Sequence, residues 1–171
     1  MSIKWDKVVD FEKRSNSLHH HPATKVIMFI GEYTHTVDDK KRISLPAKFR
    51  KIFGKKIFAT HGLDQCLFLY SPDEWAKIAE KLSSLGMGQA ETRGFNRFIL
   101  ASAVEIEIDS LGRILIPDFL RDFADLKAKV VFAGVHSRVE VWNEKRWIEY
   151  KAKIAQQADM MAEKLGEVGL L

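Results

Sequence analysis

Cysteine is nearly absent: Cys66 is the only one in 171 residues. A single thiol closes no intramolecular disulfide and cannot build a multi-cysteine zinc site. No run of about eighteen apolar residues occurs, so nothing reads as a membrane span, and the start of the chain lacks the apolar stretch of a secretory signal. These absences together point to a soluble protein of a reducing compartment. Catalytic signatures are missing as well. There is no glycine-rich phosphate loop, no His-Glu-x-x-His pair and no Gly-x-Ser-x-Gly elbow. Cys66 lies in an apolar run, Cys66-Leu67-Phe68-Leu69, where a buried and inert thiol is expected. His35, His61 and His136 are scattered singly and read as surface or turn residues. Asp38-Asp39 would suit a divalent cation by residue type, but the matching pair later in the chain is Asp109-Ser110. The reading is therefore of a protein that is no enzyme and carries no cofactor or metal.

What the chain does have is apolar material, 46% of residues, with 29% charged and 11% aromatic. That is enough for a core in one domain or two small ones. Lys and Arg number 27 against 23 Asp and Glu, a net charge of +4. So small an excess permits an anionic partner without naming one.

The chain also contains itself twice. DDKKRISLPAKFR (Asp38 to Arg50) matches DSLGRILIPDFLR (Asp109 to Arg121) at an offset of 71, with Asp, Arg, Ile, Pro and Arg identical in order. The pairs Leu45/Ile116 and Phe49/Leu120 are apolar in both copies. One extra residue then moves the offset to 72, at which Gly62 to Tyr70 matches Gly134 to Trp142 and Trp75 matches Trp147. In each copy an alternating strand (Gly31 to Val37, Val104 to Ile108) runs into an Asp-led turn and a return strand starting at Arg42 or Arg113. Pro46 and Pro117 end these strands and suit the first position of a short helix. A hairpin follows, with expected turns at Gly62-Leu63-Asp64-Gln65 and Gly134-Val135-His136-Ser137. Ser71-Pro72-Asp73-Glu74 is a capping box that opens a helix to about Leu85. A second helix is expected from Gln89 to Ser102, with Phe95, Phe98, Ile99 and Ser102 on one side. Asn143 caps a long helix to about Leu165. Its stripe of Trp147, Tyr150, Ile154, Ala158, Met161 and Leu165 fits packing on its own domain or a subunit contact.

Residues 1–27 fall outside the repeat. They are polar, carry His19-His20-His21, and read as a solvated leader ahead of Met28, where translation is expected to start.

The repeated Asp-x-x-x-Arg places an acid at one strand end and an arginine at the start of the next. The acid can fix the turn while the planar guanidinium suits phosphate or guanine edges. Charge is concentrated in the first copy. From Asp38 to Lys56 six lysines and two arginines face two aspartates, a net of +6, whereas Asp109 to Lys127 nets −1. This is the footprint of a nucleic-acid face. Lys40, Lys41, Lys48, Arg50, Lys51, Lys55 and Lys56 are the candidate backbone contacts, and the first copy is expected to supply most of the backbone affinity.

Met28 to Tyr33, His35 to Asp38 and Arg42 to Arg50 closely resemble the start of the MraZ family of bacterial transcriptional regulators. Gly62-Leu63-Asp64, Cys66-Leu67 and Asp109 to Pro117 continue a likeness that runs from Met28 through the C-terminal helix. The resemblance implies an α+β fold with two SpoVT-AbrB repeats in one chain. They would pair as a pseudo-dimer whose swapped hairpins form a β-barrel, with linking helices and a long C-terminal helix. Divided so, residues 1–27 are the leader, 28–75 the first repeat, 76–103 the linking helices, 104–147 the second repeat and 148–171 the C-terminal helix. It also implies a cytoplasmic, nucleoid-associated ring of identical subunits. Such a ring would bind short direct repeats of double-stranded DNA in the promoter of its own division and cell wall operon, and repress it. The family's DNA-contacting arginines map to Arg42 and Arg113, and the matching acids to Asp38 and Asp109. The chain departs from the family at the first turn, where Lys41 replaces the usual glycine; a positive φ there would cost about 1 kcal/mol. An antitoxin-like module of the same superfold, and an interaction scaffold without DNA, are the alternatives. Two repeats and an ordered C-terminal helix argue against the first.

Overall fold

The computed structural model describes residues 28–169; residues 1–27, with His19-His20-His21 and the reading of a leader, lie outside them. Both copies fold alike. The first gives β1 (Phe29–Thr36), β2 (Arg42–Ser44), α1 (Ala47–Phe53), β3 (Lys56–His61) and β4 (Leu67–Tyr70). Helices α2 (Pro72–Ser84) and α3 (Ala90–Leu100) link it to the second, with β5 (Val104–Glu107), β6 (Arg113–Leu115), α4 (Asp118–Phe123), β7 (Lys129–His136) and β8 (Arg138–Asn143). The chain closes on the long α5 (Glu144–Glu167). The caps are those that local chemistry dictates. The Ser71 hydroxyl accepts from the Glu74 amide at 3.3 Å, and the Asn143 side chain accepts from the Arg146 amide at 3.2 Å. Pro46 and Pro117 stand one residue before α1 and α4, at the cap, rather than inside them.

Six strands form one antiparallel sheet in the order β1-β7-β8-β4-β3-β5, and β2 and β6 form a separate two-stranded ribbon. The order is symmetric about the β8–β4 junction. The first strand of each copy therefore lies against the third strand of the other, β1 on β7 and β5 on β3. The class is α+β, with an antiparallel sheet and a long C-terminal helix. The expected barrel does not close among the described residues: β1 and β5 stand at the sheet's two edges. Beyond its own pairing, among the described residues, the ribbon is joined by the bridge Val37 to Ile43 and by the Asp38 and Asp109 amides, which donate to the Arg42 and Arg113 carbonyls at 2.9 Å. Its three-residue strands run straight to Pro46 and Pro117, which have no N–H to extend a ladder.

One core serves both copies. Ile43, Leu45 and Phe49 pack in the same cluster as their repeat partners Ile114, Ile116 and Leu120, and Leu67 and Leu69 join Val139 and Val141. Opposite it on the sheet, Cys66, Phe68, Tyr70, Val131, Ala133 and Trp142 are covered by Trp75 and Ile78 of α2 and by Trp147 and Tyr150 of α5. Cys66 is fully buried here, and burial pushes its thiol up, as expected of an inert side chain. The α5 stripe is half-buried at Trp147, Tyr150, Ile154 and Met161, while Ala158 and Leu165 are exposed. Its N-terminal half thus packs on its own sheet.

Three local expectations are corrected. The second hairpin is longer than expected: β7 continues through Gly134 and Val135, and Val135 pairs with Arg138, leaving only His136-Ser137 as the turn. Gly134 occupies the rung that His61 occupies in the first hairpin, opposite Val139 and Leu67 respectively. Aligning Gly134 with Gly62 by residue type misplaces the turn. Second, His61 is half-buried rather than freely exposed. It stacks on Phe123 at 4.0 Å between ring centroids and lies 5.1 Å from Phe98, and burial lowers its pKa. Third, α3 ends at Leu100, short of the expected Ser102; on the side it shares with Phe95, Ile99 and Ser102 are buried and Phe95 is exposed. The Ser102 hydroxyl bonds with Thr60 at 2.8 Å, tying α3 to β3.

Candidate nucleic-acid interface

The two Asp-led turns are built on one plan. Asp38 Oδ1 accepts the amides of Lys40 (2.9 Å) and Arg42 (2.8 Å), and Asp38 Oδ2 accepts Nε of Arg42 at 2.9 Å and its Nη2 at 2.8 Å. Asp109 repeats this on Leu111, Arg113 and the Arg113 guanidinium, all at 2.7–2.9 Å. One carboxylate oxygen closes the turn and the other holds the side-on edge of the arginine. The end-on edge, Nη1 with Nη2, stays available for a second planar partner. Both arginine side chains are partly exposed, 28% for Arg42 and 24% for Arg113.

These contacts hold both carboxyls below their ordinary value of 3.8, through the amide and then the guanidinium of Arg42 at Asp38, and through the guanidinium and then the amide of Arg113 at Asp109. A depressed carboxyl stabilises the fold above its unfolded pKa, and that contribution disappears as pH falls through the folded value. Acidification below about pH 4 is therefore expected to loosen both turns. Asp38→Asn with Asp109→Asn should flatten this acid limb in a series of melts.

The ribbon between the turns carries the arginines outward. Ile43 faces Ile114 on the buried side, while Arg42 stands opposite Leu115, and Ser44 opposite Arg113, on the other side. Sequence reasoning singled out neither Ser44 nor Leu115. Only the pairing of two strands far apart in sequence brings them beside the arginines.

The two turns differ where the first has Lys41 and the second has Gly112. Lys41 has φ 63° and its counterpart Gly112 has φ 78°, so Lys41 occupies the left-handed region that glycine favours. One consequence crosses between the copies. At the second turn the Arg50 guanidinium lies over Gly112, where a Cβ would collide with it, and Nη1 donates to the Leu111 carbonyl at 2.9 Å. At the first turn Lys41 has that Cβ. Arg121, the partner of Arg50, instead donates to Ile116 O at 3.1 Å and to the Asp118 carboxylate, and Lys41 Nζ reaches Asp118 at 3.5 Å. Lys41→Gly is expected to raise stability by about 1 kcal/mol, the left-handed cost outweighing an exposed contact. Thermal melts check this, and a lower midpoint would contradict it.

Charge segregated along the sequence is shared out in space. Arg50, Lys55 and Lys56 line a cleft of about 750 Å³ with Glu107, Asp109 and Gly112 of the second copy, and Lys56 pairs with Glu105 at 2.8 Å. Asp122, Asp125, Arg121 and Lys127 line one of about 490 Å³ beside Asp38 and Lys41 of the first. Arg50, Lys55 and Lys56 of the first copy thus stand at the second copy's turn. Lys40, Lys48 and Lys51 are exposed, Lys48 and Lys51 along α1. No group of three or more potential metal ligands occurs among the described residues, and no helix among them is long and apolar enough to cross a membrane.

The MraZ protein family, antitoxin-like by its description, matches this chain twice, over residues 28–98 and 99–165. A protein named transcriptional regulator MraZ from Caldanaerobacter subterraneus is 48% identical over 138 residues, 81% of this chain and 96% of its own length. One of the same name from Moorella thermoacetica is 47% identical over 138 residues, with the same coverage. Another from Acetivibrio thermocellus is 46% identical over 143 residues, 84% of this chain and the whole of that protein.

Proposed function

The chain belongs to the MraZ family, and from that premise we propose that it is a sequence-specific regulator of transcription that binds double-stranded DNA through the β2–β6 ribbon. The observation that carries this reading is the pair of arginines on one outward ribbon face, each gripped along one guanidinium edge by its own aspartate. A two-stranded ribbon fits the major groove, about 12 Å wide, and an end-on guanidinium fits N7 and O6 of guanine. Arg42 and Arg113 read bases, Asp38 and Asp109 orient them, and Lys40, Lys41, Lys48, Lys51 and Lys55 are the phosphate contacts. Arg50 braces the second turn and adds positive charge there. Phosphate contacts position and base contacts specify.

In this reading the regulator acts in the cytoplasm at the nucleoid, as a ring of identical subunits. A ring engages a row of short direct repeats, so weak single contacts add through effective concentration. Its target is the promoter of its own division and cell wall operon, which it represses. Residues 28–75 and 104–147 form the two SpoVT-AbrB repeats, a pseudo-dimer of exchanged hairpins.

A gel shift on the DNA upstream of the protein's own gene, at two salt concentrations, tests the reading: retention that weakens steeply with salt is expected. Lys51→Ala should weaken operator and random duplex alike and lower the salt slope by about 1. Loss on the operator alone would contradict its phosphate role.

A further inference from the structure

The ribbon joins two copies of one motif, yet its outward face is not symmetric. Register places Arg42 across from Leu115 and Arg113 across from Ser44. Leu115 and Ser44 are repeat partners at the offset of 71, so the two halves differ at that position: an apolar branch beside one arginine, a hydroxyl beside the other. The inner residues Ile43 and Ile114 are 0% and 1% exposed, whereas Leu115 is 55% exposed. Leu115 therefore does no packing for the core that its neighbour Ile114 already serves. It presents an apolar surface on the face that carries both arginines.

Geometry limits what such a side chain can meet. Residues two apart on a strand are about 6.6 Å apart, close to two base steps. Cross-strand neighbours lie about 5 Å apart. Four ribbon side chains thus span a few adjacent base pairs, each arginine with one cross-strand companion. The thymine C5 methyl is the apolar group that the major groove offers. A serine hydroxyl both donates and accepts, so it suits several base edges and selects weakly among them.

We propose that Leu115 and Ser44 give the ribbon a direction: Leu115 packs on a thymine methyl beside the base read by Arg42, while Ser44 leaves the position beside Arg113 permissive. This rests on the DNA-binding reading and extends it to specificity. The chain then reads an asymmetric box, and one subunit sits on it in a single orientation although its fold is nearly two-fold. The first turn strengthens the asymmetry, because Lys40 and Lys41 stand where the second presents Leu111 and Gly112.

The test is enrichment of duplexes from a random-sequence pool by the unaltered protein, by Leu115→Ser, which makes the two halves alike, and by Ser44→Leu. The unaltered protein is expected to enrich a box without inverted symmetry and with a fixed thymine. Replacing that thymine by deoxyuridine, which deletes only the methyl, should weaken binding about fourfold and leave Leu115→Ser binding unchanged. Leu115→Ser should enrich a box closer to an inverted repeat, and Ser44→Leu should acquire a thymine in the other half. Both side chains are exposed, so thermal melts of the variants should match. Identical boxes from all three proteins, or equal deoxyuridine sensitivity in Leu115→Ser, would overturn the inference and leave DNA binding standing. No enrichment by the unaltered protein would overturn the DNA reading, and the inference with it.

Discussion

Alanine at both Arg42 and Arg113 is expected to weaken binding to an enriched duplex by about thirtyfold or more, since each bidentate base contact contributes about 1–3 kcal/mol. Loss on random duplex should be much smaller, because phosphate contacts carry nonspecific affinity. The double variant should still fold. In each turn Oδ1 of the aspartate keeps its two backbone donors, at Lys40 and Arg42 or at Leu111 and Arg113, and only the Oδ2 partner is removed. Anisotropy titrations on both duplexes, with circular dichroism to verify the fold, measure this. Equal loss on the two duplexes would make the arginines phosphate contacts and move base reading elsewhere.

The second large effect is on stability. Ile114→Ala should cost about 2–5 kcal/mol, because Ile114 is 1% exposed beneath the ribbon, against Ile43, in a core both copies share. The loss should also be global. β1 is held by β7 and β5 by β3, so neither copy keeps a complete sheet without the other, and unfolding should remain a single transition. Urea melts followed by tryptophan fluorescence and by circular dichroism should superimpose, shifted to lower urea. Separate transitions for the two signals would contradict a shared core.

What was legible in the sequence was local or repeated. Asp38 with Arg42, Asp109 with Arg113 and the Ser71 and Asn143 caps are governed by residues within a few positions of each other, and they stand where expected. Placement across the copies was not legible. Nothing near Arg50 announces that it lies on Gly112, and nothing near Asp122 announces the first turn. Both follow from β1 and β5 crossing to the other copy's strands. For the same reason the +6 of the first copy, read along the chain as a cluster beside Arg42, in space reaches the second turn at Asp109 and Gly112 through Arg50, Lys55 and Lys56. His61 reads as a lone polar residue at a strand end, and becomes an aromatic stacking partner only once α3 and α4 bring in Phe98 and Phe123.

The central claim is that the ribbon arginines read guanine through their free end-on edges. Its most direct test is a thermodynamic cycle on an enriched duplex. Replacing the box guanines by 7-deazaguanine removes the N7 acceptor and changes little else. The account predicts a clear loss of affinity with the unaltered protein and no further loss with Arg42→Ala/Arg113→Ala. The same loss with both proteins, or no loss with the unaltered one, would contradict it.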